Sequence, residues 1–336
     1  MTEFREYAIF KKLKCYTELR GNGMKKLKRT YIRSAAAIGL VLILLLIAGS
    51  VFDLQISKFM YPGHESSFGQ FFAAFGKLPA FAEMICAGVL LLTVLRKIRQ
   101  NLRWLAIAGS VVLIVGGLLM AAGEAVEDVP AMPFWVPLLV TAFVAAICAW
   151  GLLTLTRSCP AKTVIRFVGT LIFVVVATMI TFKLLKAFWG RPRMNFIAGT
   201  GNEGYFAPWW KPGSALKSRL VAEGVSKNAF DSFPSGHAAC AACAMLMILL
   251  PTLGKKTHGR ERSLVLLGAA WTLVVAFSRI MMGAHFLSDV TVGCGITLVF
   301  SVIGIKLFYF SGKFFRWFWA LIAEPQKNMQ NSDNME

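Results

Sequence analysis

The residues equipped to do chemistry fall in three short segments. They are Lys186-Ala-Phe-Trp-Gly-Arg191-Pro-Arg193, Ser232-Phe-Pro-Ser-Gly-His237, and Ser278-Arg279-Ile-Met-Met-Gly-Ala-His285-Phe-Leu-Ser-Asp289. Of the four histidines, His64, His237, His258 and His285, two lie here. Phosphate chemistry needs cationic donors around the oxygens, a nucleophile or activated water, and an acid for the leaving group. Lys186, Arg191 and Arg193 put three cations at the end of one apolar run, and Arg279 adds another at the end of a second. Ser235-Gly236-His237 opens a third run, where free backbone N–H groups and a partial positive charge suit an anion. Gly236 lets the backbone approach closely. His285 and Asp289 are four apart at the start of the last long run, hence on one helical face. A carboxylate bonded to one imidazole nitrogen fixes the tautomer and leaves the other nitrogen as nucleophile.

The apolar runs between these segments must position them. The chain of 336 residues is 57% hydrophobic with a mean hydropathy of +0.62. Soluble domains are nearer about 45–50% apolar and do not repeat apolar runs of about 20 residues. The expected fold is all-α, a polytopic membrane helical bundle of about eight spans. These read as about 34–51, 70–95, 104–122, 134–156, 165–188, 236–253, 263–282 and 288–308. A net charge of +19 raises the question of nucleic acid, but the basic residues cluster in short turns between apolar runs. That is the pattern of topology signals and contacts to anionic headgroups, so a nucleic-acid partner is not expected. Seven cysteines mostly sit inside apolar runs as small packing residues, including Cys240 and Cys243 amid alanines. No disulfide framework and no metal spacing is implied.

Basic turns at 96–103, 157–166 and 255–262 share one side, and Glu124-Ala-Val-Glu-Asp128 lies on the other. By the positive-inside rule both termini are cytoplasmic, and the two histidines at the starts of spans six and eight face outward. The basic lead over 1–33 followed by Leu, Ile and Val resembles a signal peptide, but the long run and poor cleavage site favour a retained span. Span two is irregular, with Lys77, Pro79 and Glu83. Glu83 either faces the bundle with a partner such as Lys183, or reaches the headgroup zone. The loop over 194–235 is long enough for a lid or interfacial segment, with Tyr205 to Trp210 at headgroup level. Its basic character fits an anionic substrate or ordinary lipid contact. Phe314 to Trp319 reads as an aromatic anchor at the inner surface, and 326–336 as a polar, disordered tail.

In this order and spacing the three segments resemble the signature of the type 2 phosphatidic acid phosphatase superfamily: K-x6-R-P, then P-S-G-H, then S-R-x5-H-x3-D. Lys186 to Arg193 matches the first, with Met194 replacing the final proline. Pro234 to His237 matches the second, and Ser278, Arg279, His285 and Asp289 match the third. The resemblance implies a membrane phosphatase that needs no metal or other cofactor and acts on lipid phosphates or diphosphates. It implies His285 as a nucleophile that forms a phosphohistidine, Asp289 as its orienting carboxylate, and His237 as the acid. Lys186, Arg193, Ser235, Gly236 and Arg279 would hold the phosphate oxygens. It also implies a six-helix phosphatase core. The chain would then divide into a basic segment (1–33), N-terminal spans (34–160), a catalytic core (161–310) and a tail (311–336).

Candidate substrates are an isoprenoid-lipid diphosphate, phosphatidylglycerol phosphate, phosphatidic acid or a phosphorylated glycolipid. Two other readings stay open. A phosphotransferase on the same fold would pass phosphate to a second lipid rather than to water. An anion transporter or binding protein would use the basic outer groups, but it leaves His285 and Asp289 unexplained and shows no internal repeat.

Overall fold

The computed structural model describes residues 24–63, 66–254 and 257–324 in full, and the helical backbone alone for 2–23. His64, the Cys15 side chain, part of the basic turn at 255–256 and the tail over 326–336 lie outside the described residues. Among the described residues there is no strand, only one isolated bridge between Ile98 and Ala323. The fold is an all-α polytopic bundle.

The helices are α1 (Thr2–Met60), α2 (Ser67–Phe75), α3 (Leu78–Thr93), α4 (Gln100–Asp128), α5 (Trp135–Thr156) and α6 (Ala161–Trp189). They continue with α7 (Met194–Thr200), α8 (Ser214–Ala222), α9 (Gly236–Ala242), α10 (Glu261–Met281), α11 (Leu287–Ile305) and α12 (Gly312–Ile322). Among the described residues seven segments are long and apolar enough to cross a membrane, rather than the expected eight or so. The exception is Gly236–Thr252, in which α9 gives way to a 3₁₀ stretch over Cys243–Thr252. The greater rise of 3₁₀ backbone brings this short segment to roughly 30 Å, about one hydrocarbon thickness. Several helices outrun the apolar runs that announced them. Hydropathy marks where lipid tails lie, whereas a helix continues through its polar flanks until a stop residue ends it.

The expected irregularity of span two is a break between α2 and α3 at Gly76 and Lys77, with Pro79 in the first turn of α3. Proline at a helix start forgoes no bond, so it begins α3 where it would have kinked a continuous helix.

The centre of the bundle is α9. Every residue from Gly236 to Cys243 is buried, and its alanines and cysteines let α3, α6, α10 and α11 pack closely around it. Cys240 and Cys243 are free thiols in that packed surface. A Cβ on Gly268 of α10 would come within 2.7 Å of the Met245 backbone nitrogen, so close backbone contact fixes this crossing. Outward, α1 exposes Leu40, Ile43, Leu44 and Ile47, the arrangement expected of a helix facing lipid. At the end bearing the basic turns, α12 packs back on the bundle. Phe315 is buried under the Arg166 guanidinium, 4.2 Å from the ring centroid, and Arg99 Nη2 donates to the Ala320 carbonyl at 2.6 Å. The aromatic segment 314–319 is therefore partly a packing surface.

Candidate active site

All three motif segments converge at the opposite end of the bundle. Helix α6 ends at Gly190, whose φ of 67° is one that a side-chain-bearing residue rarely adopts. The chain turns there and delivers Arg191, Pro192 and Arg193 across the bundle end. The Arg193 N–H donates to the Ala229 carbonyl at 2.8 Å, pinning this turn to the far side of the long loop. Met194 opens α7 and is buried against Phe286, so the residue in the place of the family proline serves as packing.

Arg191 is the least expected member. Its side chain is fully buried and Nη1 donates to Asp289 Oδ1 at 2.5 Å and to Ser288 Oγ at 2.9 Å. Nη2 pairs with Asp53 Oδ2 at 2.9 Å, and Nε donates to the Ala207 carbonyl at 2.8 Å. The guanidinium also lies over the Phe286 ring, 4.2 Å from its centroid. Sequence reasoning counted Arg191 with Lys186 and Arg193 as a third cation at the site; its donors are instead taken up inside the protein. Asp53, on α1, was not singled out at all. It also accepts from the Ser288 N–H at 2.9 Å and from the Ser288 hydroxyl, so α1 is bonded directly to the start of α11.

Lys186 and the Arg193 side chain are different. Among the described residues neither makes a hydrogen bond or ion pair, and the buried Arg193 Nε has no partner. Two cations at one bundle end with no carboxylate in ion-pair contact among the described residues are a place for an anion.

His285 lies in the turn between α10 and α11, buried, with its backbone N–H donating to the Arg279 carbonyl at 3.3 Å. Its Nδ1 is 2.5 Å from the Ser232 carbonyl oxygen and 4.0 Å from Asp289 Oδ2. A carbonyl can only accept, so Nδ1 carries the proton and Nε2 the lone pair. The expected direct His285–Asp289 bond is thus replaced. Asp289 accepts from the Ser232 hydroxyl at 2.5 Å and from the Phe286 N–H at 2.8 Å. The carboxylate holds the two strips of backbone between which the imidazole is set. Burial, then the nearby Lys186 and Arg193 cations, push the His285 pKa well below the ordinary value of 6.5.

Ser235 is the N-cap of α9, its hydroxyl accepting from the Ala238 N–H at 3.3 Å, and its own N–H donates to the Asp289 carbonyl at 3.0 Å. Gly236 was expected to let a ligand approach. In the structure a Cβ there would lie 2.8 Å from Phe182 Cε2, so its small size serves the contact of α9 with α6. Arg279 is buried, and its Nη2 donates to the Gly69 carbonyl of α2.

His237, also buried, places Nε2 2.9 Å from the Ala73 carbonyl and 3.3 Å from Asp128 Oδ2. Asp128 pairs with Lys77 at 2.7 Å, Lys77 with Glu124 at 2.9 Å, and Glu124 with Lys183 at 2.9 Å. Lys183 is therefore the partner of Glu124 and not of Glu83, whose buried Oε2 has no hydrogen-bond partner among the described residues. The signals for this cluster were present in the sequence, as a lysine in an irregular span and an acidic turn. They read as topology rather than as neighbours of His237.

The long loop folds over the site end. The Trp209 indole donates to Ser50 Oγ at 2.9 Å and stacks on Phe233, and Phe206 meets Phe286 edge to face. Of the aromatic stretch expected at headgroup level, Trp210 is exposed while Phe206 and Trp209 pack inward. Among the described residues no group of His, Cys, Asp or Glu is arranged to hold a metal ion.

Comparison with curated proteins and with solved structures finds no match. A family model does match: residues 167–313, which include every motif residue described above, match the PAP2 superfamily.

Proposed function

We propose that the chain is an integral membrane lipid phosphatase. It hydrolyses a lipid phosphate or diphosphate at the extracytoplasmic face through a phosphohistidine intermediate. The observation that carries this reading is a pair of cations, Lys186 and Arg193, with no direct ion pair among the described residues, beside an imidazole whose Nδ1 is already committed to Ser232. The phosphoryl group sits between the cations. His285 Nε2 attacks phosphorus, and the P–O bond to the leaving group breaks with its electrons going to that oxygen. His237 gives the oxygen a proton, and water then attacks the phosphohistidine with the same imidazole as base. Arg279 and Ser235 hold the turns that frame the phosphoryl oxygens.

The test is phosphate release by the purified protein from a panel of lipid phosphates in the presence of chelator, with no acceptor lipid added. Release together with an acid-labile, base-stable phosphoenzyme supports hydrolysis through histidine. Activity that requires an added acceptor lipid indicates phosphotransfer instead, and complete, metal-reversible loss in chelator overturns the reading.

A further inference from the structure

The geometry points to Asp128 as the positioning residue for His237: a carboxylate from α4, outside the family-matched segment, that holds the imidazole and balances its charge when it acts as the acid. This rests on the phosphatase reading and deepens it.

An acid that donates a proton beside a phosphate-binding site faces an electrostatic conflict. The cations that attract phosphate also repel a protonated imidazole. The charged groups around His237 come from several elements: Lys77 at the α2–α3 junction, Arg279 on α10, and Asp128 on α4. Lys186 and Arg193 add further positive charge at the same bundle end. Asp128 is the one carboxylate among the described residues within ion-pair distance of His237, at 3.3 Å.

The ring's orientation follows from its second contact. The Ala73 carbonyl, 2.9 Å from Nε2, can only accept, so Nε2 bears a hydrogen. The proton for the leaving group therefore comes from Nδ1. An imidazole protonated at both nitrogens donates Nδ1–H to the departing oxygen, and the ring returns to neutrality with Nε2–H retained. Asp128 accepts no proton in this step; its charge favours the doubly protonated ring beforehand.

The rest of the cluster keeps Asp128 in place. Lys77 bridges Asp128 and Glu124, which lie one turn apart on α4, and Lys183 closes the second side of Glu124. Two lysines and two carboxylates balance, so the charge of His237 is what the arrangement gains or loses as it titrates. Lys77 and Asp128 are both largely buried in side chain, at 12% and 21% exposure, so solvent screens this pairing little.

The experiment uses the full chain in lipid nanodiscs. Wild type, Asp128→Asn, Asp128→Glu, His237→Ala and the double variant His237→Ala/Asp128→Asn are compared on phosphatidic acid and on p-nitrophenyl phosphate, whose leaving group needs little protonation. Asp128→Asn is expected to lower kcat on phosphatidic acid by about 10–100-fold, less than the roughly 10²–10⁴-fold of a lost acid because the imidazole itself remains. On p-nitrophenyl phosphate it should fall by no more than about threefold on the same argument. Asp128→Glu should recover most of the loss, and the pH optimum on phosphatidic acid should move down in Asp128→Asn. The double variant should be no slower than His237→Ala, since both changes remove one function.

Equal losses on both substrates, or additive losses in the double variant, overturn the assignment and leave Asp128 a structural residue. If Asp128→Asn does not fold, the same substrate split is read from Asp128→Ser, where an even loss has the same overturning force. A wild type that releases phosphate from neither substrate overturns the phosphatase reading itself, and this inference with it.

Discussion

His285 Nδ1 lies 2.5 Å from the carbonyl oxygen of Ser232, in the turn that precedes α9, although the two residues are 53 apart in the chain. This contact sets the tautomer of the imidazole. A backbone carbonyl has no ionisation, so it does so at any pH, whereas a carboxylate in that place would change character on protonation. The second and third motifs are therefore joined at their backbones before any substrate arrives.

The two histidines should separate by leaving group. His285→Ala is expected to abolish turnover and phosphoenzyme on all substrates. His237→Ala should cost about 10²–10⁴-fold on a lipid monophosphate and less on a lipid diphosphate, whose leaving phosphate is already a weak base. Rates for both variants on one substrate of each kind decide this, and near-normal turnover by His285→Ala would falsify the nucleophile assignment.

Asp289→Asn should be costly to the fold as well as to turnover. It removes one of the two carboxylates paired with a fully buried arginine, Arg191. Breaking a buried pair from one side typically costs about 3–5 kcal/mol. A thermal melt of Asp289→Asn should show the loss, and an unchanged melt with reduced activity would mean that Asp289 acts on catalysis alone.

His285 should remain neutral under mild acid. Its pKa is held well below 6.5 by burial and by Lys186 and Arg193, while in the unfolded chain it titrates near 6.5. The unfolded state thus binds the extra proton first, so this group lowers stability as pH falls below about 6.5 and contributes nothing above it. Nitrogen chemical shifts of the His285 ring in labelled protein check the point between pH 7.5 and 5; a midpoint near 6.5 would contradict it.

A tag after Glu336 should be cytoplasmic and one near Gly201 external. Gly236–Thr252, α10 and α11 lie between them, an odd number of crossings. Accessibility labelling of intact cells tests this, and equal labelling of both tags would refute the orientation.

The helical bundle and the motif residues were legible because each leaves a local mark: an apolar run, a Ser-Gly-His step, an arginine at a span end. The bonds that Arg191 makes were not. Its carboxylate partners sit 138 and 98 positions away, on helices whose rotation no periodicity specifies. Glu83 shows the same limit from the other side, since a charge in a span implies a need for a partner without naming it. Helix ends were also hidden wherever capping and packing, rather than hydropathy, decide them, as at Gly190 and at the 3₁₀ stretch following α9.

The Asp53–Arg191 pair carries an implication for how such chains diversify. A buried arginine satisfied by two acids cannot lose one of them quietly, so positions 53 and 191 should co-vary. A relative whose first helix offers no acid at position 53 should carry an uncharged residue at position 191, or bring a replacement acid from another helix. Grafting residues 167–313 onto foreign leading helices would then succeed or fail on whether the donor supplies that acid. The bonds that hold the candidate site thus reach beyond residues 167–313 to Asp53 on α1.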